Sequence, residues 1–148
     1  MASRRYKHSG VYWGAFILDW FKYLQDADLS SADYRVLFYL CENMKFDDNV
    51  AYVKQKEISK KLSMDKGNVS KCITKLRNKQ FIAKSTSGFM INPHLFYVGA
   101  RERQIRENLR EQFDSLLSTT PRFNLNEDRH VLESGERIFT DDADAPHM

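Results

Sequence analysis

The stretch QKEISKKLSMDKGNVSKCITKLRN, residues 55–78, decides the predicted fold. Its apolar residues recur at helical spacing in two runs, which predicts one helix over 55–62 and a second, capped by Asp65, that ends at Asn78. The second helix turns four residues inward: Val69, Cys72, Ile73 and Leu76. Two short helices joined by so tight a turn form a helix-turn-helix.

The flanking sequence completes the pattern of a winged helix-turn-helix. Upstream, residues 30–46 predict a helix with an N-terminal serine cap, and residues 50–53 predict a short strand. Downstream, residues 81–84 and 89–92 predict two strands joined by a turn of hairpin length. We therefore expect an α+β fold that is mainly helical and carries a small β-hairpin wing.

The remaining sequence predicts how the chain is organised. We expect a flexible basic arm over residues 1–10, a folded domain over 11–118 and a disordered acidic tail over 119–148. Helices at about 19–25 and 101–117 extend the domain at its two ends. The apolar stripe of the last helix must be buried, either against the N-terminal aromatic segment or against a second copy. The second option predicts a homodimer through this helix.

The charge is distributed unevenly along the chain. The formal net charge of the 148 residues is +3, but residues 51–90 contain ten cations and only two anions. Such a local excess repels itself unless a polyanion binds it, which favours a nucleic-acid partner. The alternative is a lysine-rich face that is only solvated. A further hypothesis is that the acidic tail competes with the nucleic acid for the basic face.

The sequence argues against an enzyme and predicts no cofactor and no metal. Its four histidines are scattered, and it has no phosphate-binding glycine loop, serine nucleophile motif or spaced carboxylate pair. Cys41 and Cys72 lie on apolar stripes and lack metal-ligand spacing, so we expect both to be buried in a reducing cytoplasm. No stretch of 18 residues lacks a charge, which excludes a membrane-spanning helix.

The outward face of the second helix is polar, cationic and free of acids. An α-helix fits the major groove of DNA, where Asn and Lys side chains bond base edges and Ser or Thr reach bases or phosphates. The preceding helix and the wing add cations and hydroxyls suited to phosphate contacts. The predicted DNA-binding residues are Lys56, Lys60, Lys66, Gly67, Asn68, Ser70, Lys71, Thr74, Lys75, Lys84, Ser85 and Thr86.

The central segment also resembles a known family. The run from Ile58 to Gly99, with its ending MINPHLFYVG, and the upstream LSSADYRVLFYLCENM are similar to the RepL family of plasmid replication proteins. That resemblance covers about residues 16–99 and implies a winged helix-turn-helix that binds a plasmid origin, with host replication proteins supplying the catalysis. Gly67 and Asn68 depart from the Ser-Thr pair that is common in the family.

Three functions remain open from the sequence. The first is a protein that binds double-stranded DNA and initiates plasmid replication or controls copy number. The second is a winged-helix transcriptional repressor of a phage or plasmid promoter, which would share every DNA-contacting residue. The third is an interaction module whose last helix and acidic tail engage a partner protein, and it predicts no retardation of any duplex at low salt.

Overall fold

A computed structural model describes residues 12–98, 102–129 and 131–133. The predicted arm at 1–10 lies outside these residues. The described part is a mixed α+β structure, as expected, with small antiparallel sheets. Its central elements are α1 (Ser31–Glu42), β2 (Val50–Ala51), α2 (Gln55–Leu62), α3 (Lys66–Asn78), β3 (Ile82–Lys84) and β4 (Phe89–Ile91).

Local sequence signals explain where these elements begin and end. Ser30 and Asp33 form a reciprocal capping box at the start of α1. This helix ends at Glu42, before the predicted end at residue 46, because Met44 already pairs with Ala51 as an isolated β-bridge. At the end of α2, Ser63 adopts a left-handed conformation with φ 53°, which turns the chain into α3.

The strands form a three-stranded antiparallel sheet in the order β2-β4-β3. β3 and β4 are a hairpin with Ala83 opposite Met90, as predicted. Gly88 is required at the base of its turn, because a Cβ built there would lie 2.2 Å from the carbonyl oxygen of Ala51. One face of the sheet packs with the three helices in the main core, where Ile58, Leu76 and Phe81 are fully buried.

The Ile-Asn-Pro motif begins at the last residue of β4 and connects several segments of the chain through buried hydrogen bonds. Asn92 is buried, and its amide nitrogen donates to the carbonyl oxygen of Gln80 at 2.7 Å while its amide oxygen accepts from the backbone N–H of His94 at 2.8 Å. Asn49 supports the same region from the β2 side, since its amide nitrogen donates to the carbonyl oxygens of Ile91 and Phe96 at 2.8 and 2.9 Å. Buried amides that donate to backbone carbonyl oxygens fix the backbone strongly.

The N-terminal segment differs from the predicted helix at 19–25. The structure has a strand, β1 (Gly14–Phe16), followed by a 3₁₀ helix over Leu18–Tyr23. β1 pairs antiparallel with β5 (Phe96–Val98). A six-residue segment closes too few α-helical hydrogen bonds to be stable, and the tighter 3₁₀ form is common in short pieces.

The last helix, α4 (Arg103–Leu116), is covered in a way that the sequence did not predict. Its buried residues Leu109 and Phe113 pack against Val50, Ala83 and Met90, on the opposite face of the three-stranded sheet from the main core. This contact is neither with the N-terminal aromatic segment nor with a second copy. The alternating pattern of the short strands exposes a second apolar face, and α4 covers it.

The expected disordered tail was wrong for its first part. Residues 119–129 pack onto the domain, and β6 (Asn124–Asn126) pairs with β7 (Val131–Glu133). Phe123 is 1 % exposed and stands edge-on to Trp20, with ring centroids 5.1 Å apart. One buried aromatic anchor therefore places this segment in the core. The rest of the predicted tail, 134–148, lies outside the described residues.

Ion pairs connect α4 to the strand segment that follows it. The Arg106 guanidinium donates to both carboxylate oxygens of Glu127, from Nε at 3.0 Å and from a terminal nitrogen at 2.7 Å. Arg110 donates to the same carboxylate at 2.9 Å and is 4 % exposed. Hydrogen bonding by Arg106 lowers the pKa of the Glu127 carboxyl more than burial raises it, so the carboxyl stays ionised near neutral pH.

Candidate nucleic-acid interface

Helix α3 presents the predicted outward face to solvent. Asp65 caps it, and its carboxylate accepts a hydrogen bond from the backbone N–H of Gly67 at 2.9 Å. The four inward residues predicted from the sequence are all buried, which fixes the rotation of the helix about its axis. The residues exposed on the other side are Lys66, Gly67, Asn68, Ser70, Lys71, Thr74, Arg77 and Asn78.

Gly67 lies in the first turn of α3, beside the side chain that caps the helix. A Cβ built at this position would lie 3.0 Å from the Asp65 carboxylate oxygen that caps the helix. The obstacle is the end of an exposed side chain rather than backbone, so it can yield. Apart from the neighbouring residues and the backbone of α3 itself, no other atom of the described residues lies within 4 Å of that Cβ.

Unlike Lys71, Lys75 is engaged in contacts within the domain. Its amine lies 3.0 Å from the carboxylate of Asp33 and donates to the carbonyl oxygen of Asp28 at 2.8 Å. Burial raises the pKa of the Asp33 carboxyl, but hydrogen bonds from Ser30, Cys72 and Lys75 outweigh it and the net pKa is lowered. Lys75 therefore holds α3 against the start of α1, which the spacing within α3 could not show.

Lys79, the C-cap of α3, extends this row of contacts. Its amine lies 2.7 Å from the Asp26 carboxylate and 3.4 Å from that of Asp28. The hydrogen bond that Lys79 donates to Asp26 raises the pKa of Lys79, and the same bond is the main reason that the pKa of Asp26 is lowered. One flank of α3 is thus occupied by acidic residues of the loop before α1 and of the first turn of α1.

The remaining predicted DNA-binding residues lie on α2 and in the β3–β4 hairpin, the elements before and after α3. On α2, Lys56, Lys60 and the neighbouring Lys61 are exposed. In the hairpin, Lys84 and Thr86 are exposed and Ser85 is half-buried, with its backbone N–H bonded to the carbonyl oxygen of Gly88 at 2.9 Å. α3 packs on α2 and leads directly into β3, and Lys84 lines a cleft with Thr74, Arg77 and Asn78 of α3.

Arg77 was missed by the sequence reading although it lies on the same surface. It sits at the edge of the outward face of α3, on the flank that faces β3 rather than the acidic loop. Lys75 lies at the margin of the same face on the other flank and was assigned a role, so the helical projection that found Lys75 could also have found Arg77.

The described residues hold no group of three or more His, Cys, Asp or Glu side chains that could bind a metal ion. His94 is buried, where its Nε2 lies 3.1 Å from Asp114 and its Nδ1 faces the backbone N–H of Leu125 at 3.4 Å. Burial lowers the pKa of His94 more than Asp114 raises it. The buried His94 side chain therefore links α4 to β6.

Both cysteines are free thiols. Burial raises the pKa of the Cys41 thiol to about 12, and it is also the largest cause that raises the pKa of Cys72 to about 11. Thiols with such values carry almost no reactive thiolate near neutral pH. They pack as small apolar side chains, Cys72 buried and Cys41 half-buried.

Within 12–98, 102–129 and 131–133, no helix is long and apolar enough to cross a membrane. Comparison with curated proteins and with solved structures gave no match in either case. The model of one protein family, described as Firmicute plasmid replication protein (RepL), matches residues 8–130. This match reaches further than the resemblance over 16–99 and includes the segment around Phe123. With most of its length covered, the chain belongs to the RepL family of plasmid replication proteins.

Proposed function

We propose that this protein binds double-stranded DNA at a plasmid origin and acts there in the initiation of replication or in the control of copy number. The proposal combines the family of the chain with one observation, the exposed cationic face of α3. Along that face Lys66 and Lys71 make no ion pair within the described residues. Its single acid is the capping Asp65, at the first end of the helix.

The order of the elements supports a winged helix-turn-helix. α2 and α3 are the helix pair, and the β3–β4 hairpin follows α3 as the wing. In this architecture α3 enters the major groove and its N-terminal turns contact base edges. Asn68, Ser70 and Lys71 then read bases, while Lys56, Lys60 and Lys84 contact phosphates. Catalysis is assigned to host replication proteins, so the chain itself needs no cofactor.

Salt dependence tests the proposal directly. Binding of the purified chain to duplex fragments of its own replicon, followed by fluorescence anisotropy across a range of NaCl concentrations, should show strong dependence on salt. If six lysines or arginines neutralise phosphates, log affinity falls against log salt with a slope of roughly −5. Failure to bind any duplex at low salt would refute the proposal and favour the protein-interaction module.

The substitution Gly67→Ala tests whether the backbone at position 67 lies close to DNA, because it changes the space at that position with little effect on the stability of α3. The gain of up to about 1 kcal/mol in helix propensity is offset by the contact of the new Cβ with the Asp65 carboxylate, 3.0 Å away. We therefore expect the free energy of unfolding to change by less than about 1 kcal/mol. A methyl group in the turn that faces the bases should weaken duplex binding several-fold. Unchanged binding together with unchanged thermal unfolding would place the backbone at 67 away from DNA.

A second candidate function is a transcriptional repressor of a phage or plasmid promoter. The same cationic face carries this candidate, since both functions need a helix in the major groove. Footprinting on the replicon distinguishes them. Several repeated protected sites within an origin support the first function, and one palindrome over a promoter supports the second. Loss of plasmid replication when the reading frame is deleted would independently support the first.

We also propose a homodimer on DNA, formed through α4. The exposed Ile105 and Leu116 are the parts of its apolar stripe that the sheet does not cover. Two recognition helices in a dimer would lie about 34 Å apart, one turn of DNA. Light scattering at micromolar concentration tests this, and a monomeric mass both alone and with a duplex would refute it.

A further inference from the structure

A cleft lies between the second half of α3, strand β3 and the end of α4. Its volume is about 200 Å³. Its polar lining consists of Thr74, Arg77, Asn78, Lys84 and Ser118, and the apolar floor includes Ile82. No acidic side chain of the described residues lines it. The cleft therefore presents two cations, two hydroxyls and an amide to whatever enters from the surface of α3.

The two cations of the cleft are available for a ligand. Arg77 and Lys84 are exposed, and neither makes an ion pair within the described part of the chain. The Lys84 amine lies 5.1 Å from the centroid of the buried Phe89 ring, which restrains it beside the hairpin. A planar guanidinium and a restrained ammonium facing one space are suited to a phosphate group.

The opposite flank of α3 has the reverse character. There Lys75 and Lys79 are already paired with Asp33, Asp26 and Asp28, and the Asp28 side chain is 78 % exposed. A phosphate approaching Lys75 or Lys79 meets a carboxylate beside that lysine. Among the described cations of α3, Arg77 lines the cleft, whereas Lys71 lines the flank that it shares with Lys75 and Lys79. The cleft therefore offers cations with no carboxylate beside them, which the Lys75 and Lys79 positions do not.

We propose that this cleft binds a backbone phosphate of the duplex in which α3 lies, with Arg77 and Lys84 as the residues that hold it. The inference rests on the proposed DNA binding and deepens it. Arg77 adds a contact that the sequence did not assign. Lys84 of the wing then belongs to one site with α3 and with Ser118, which follows α4. Because the contact is to phosphate, it positions the protein without reading sequence.

Arg77→Gln tests the site without disturbing the fold, since this side chain is exposed. Anisotropy titrations across NaCl concentrations would use an origin fragment and an unrelated duplex of equal length. We expect the variant to weaken binding to both duplexes by the same factor, roughly 3- to 10-fold, and to reduce the magnitude of the salt slope by about 0.9. The double variant with Lys84→Gln should reduce it by about 1.8.

Two further variants act as controls. Arg77→Lys keeps the charge and should retain the salt slope. Lys45→Gln removes a cation from the turn before β2, at the other edge of the sheet from β3, and should leave both affinity and slope unchanged.

The outcomes for the cleft and for DNA binding differ. If Arg77→Gln and the double variant keep the full slope while Lys71→Glu loses affinity, the cleft holds no phosphate and the proposed function stands. If the unmodified chain binds no duplex, both proposals fall. An equal loss of slope with Lys45→Gln would also overturn the site, because the effect would then reflect net charge alone.

Discussion

Lys71→Glu is expected to weaken duplex binding by about 10- to 100-fold. Lys71 is exposed near the centre of the outward face of α3, one turn beyond Gly67, and it has no ion-pair partner within the described residues. Removing its charge releases one phosphate or base contact, and the new carboxylate repels the duplex in addition. Titration by anisotropy at a fixed salt concentration measures the loss.

The fold should survive this change. Substitution of an exposed residue away from caps and partners alters the free energy of unfolding by about 0.5 kcal/mol or less. Thermal unfolding by circular dichroism should therefore match that of the unmodified chain. Lys45→Glu, which makes the same change of charge beyond the proposed interface, is the matched control. Duplex affinity that is unaltered in Lys71→Glu would contradict the proposed function.

Lys75→Glu is a poorer test because of what Lys75 touches. Its amine pairs with the carboxylate of Asp33, whose side chain is 3 % exposed, at 3.0 Å. The substitution would place a second negative charge beside a buried one, and such a group left without its partner destabilises the fold. A loss of binding in this variant would combine unfolding with the loss of a contact.

Lys75 also shows the limit of reading a helix from its own sequence. The cap at Asp65, the end at Asn78 and the four inward residues of α3 were all predicted correctly, because each depends on residues within one or two turns. The partner of Lys75 lies 42 positions earlier in the chain, at the start of α1. No periodicity within α3 carries information about that contact.

The family motif illustrates a different limit. The Ile-Asn-Pro ending indicated the family correctly, but its residues contribute to the interior rather than to the cationic surface. Asn92 is 1 % exposed and bridges the loop before β3 to the turn before β5. Its value as a signature follows from a buried amide whose two hydrogen bonds no other side chain reproduces at that place.

The segment after α4 was mistaken for a tail because it has no repeating pattern. Its strands are three residues long, and specific side-chain contacts hold it in place. Gln80, with φ 64°, donates from its amide to the carbonyl oxygen of Thr120 at 3.2 Å and accepts from the backbone N–H of Arg122 at 2.6 Å. Polar composition and an acidic excess conceal contacts of this kind.

Phe123→Ala is expected to lower the free energy of unfolding by about 3 to 5 kcal/mol. The ring is 1 % exposed and lies 5.1 Å from the Trp20 ring and 5.3 Å from that of Tyr23, both edge-on. It also faces Phe81, at 6.2 Å between centroids. Its removal leaves a cavity between the N-terminal 3₁₀ helix and Phe81, at the point where the chain after α4 packs against both. Urea unfolding followed by tryptophan fluorescence measures the loss.

The matched control is Phe38→Ala, in which the same side chain is removed from the exposed face of α1. Phe38 is 55 % exposed and faces only the Tyr34 ring, at 6.1 Å, among the aromatic residues described. We expect this change to cost about 1 kcal/mol or less, because little apolar area is returned to water. Equal effects of the two substitutions would mean that Phe123 is not part of the core.

The burial of Phe123 determines which truncation can test whether the acidic tail competes with DNA. A truncation after Thr120 removes Phe123 and Glu127 together, so it should destabilise the domain by at least as much as Phe123→Ala. A truncation after Glu133 keeps both residues and removes only the acidic end. If that end competes with DNA for the face of α3, the truncation after Glu133 raises duplex affinity, most strongly at low salt, with unfolding unchanged. A gain of affinity that persists undiminished at high salt would contradict an electrostatic competition.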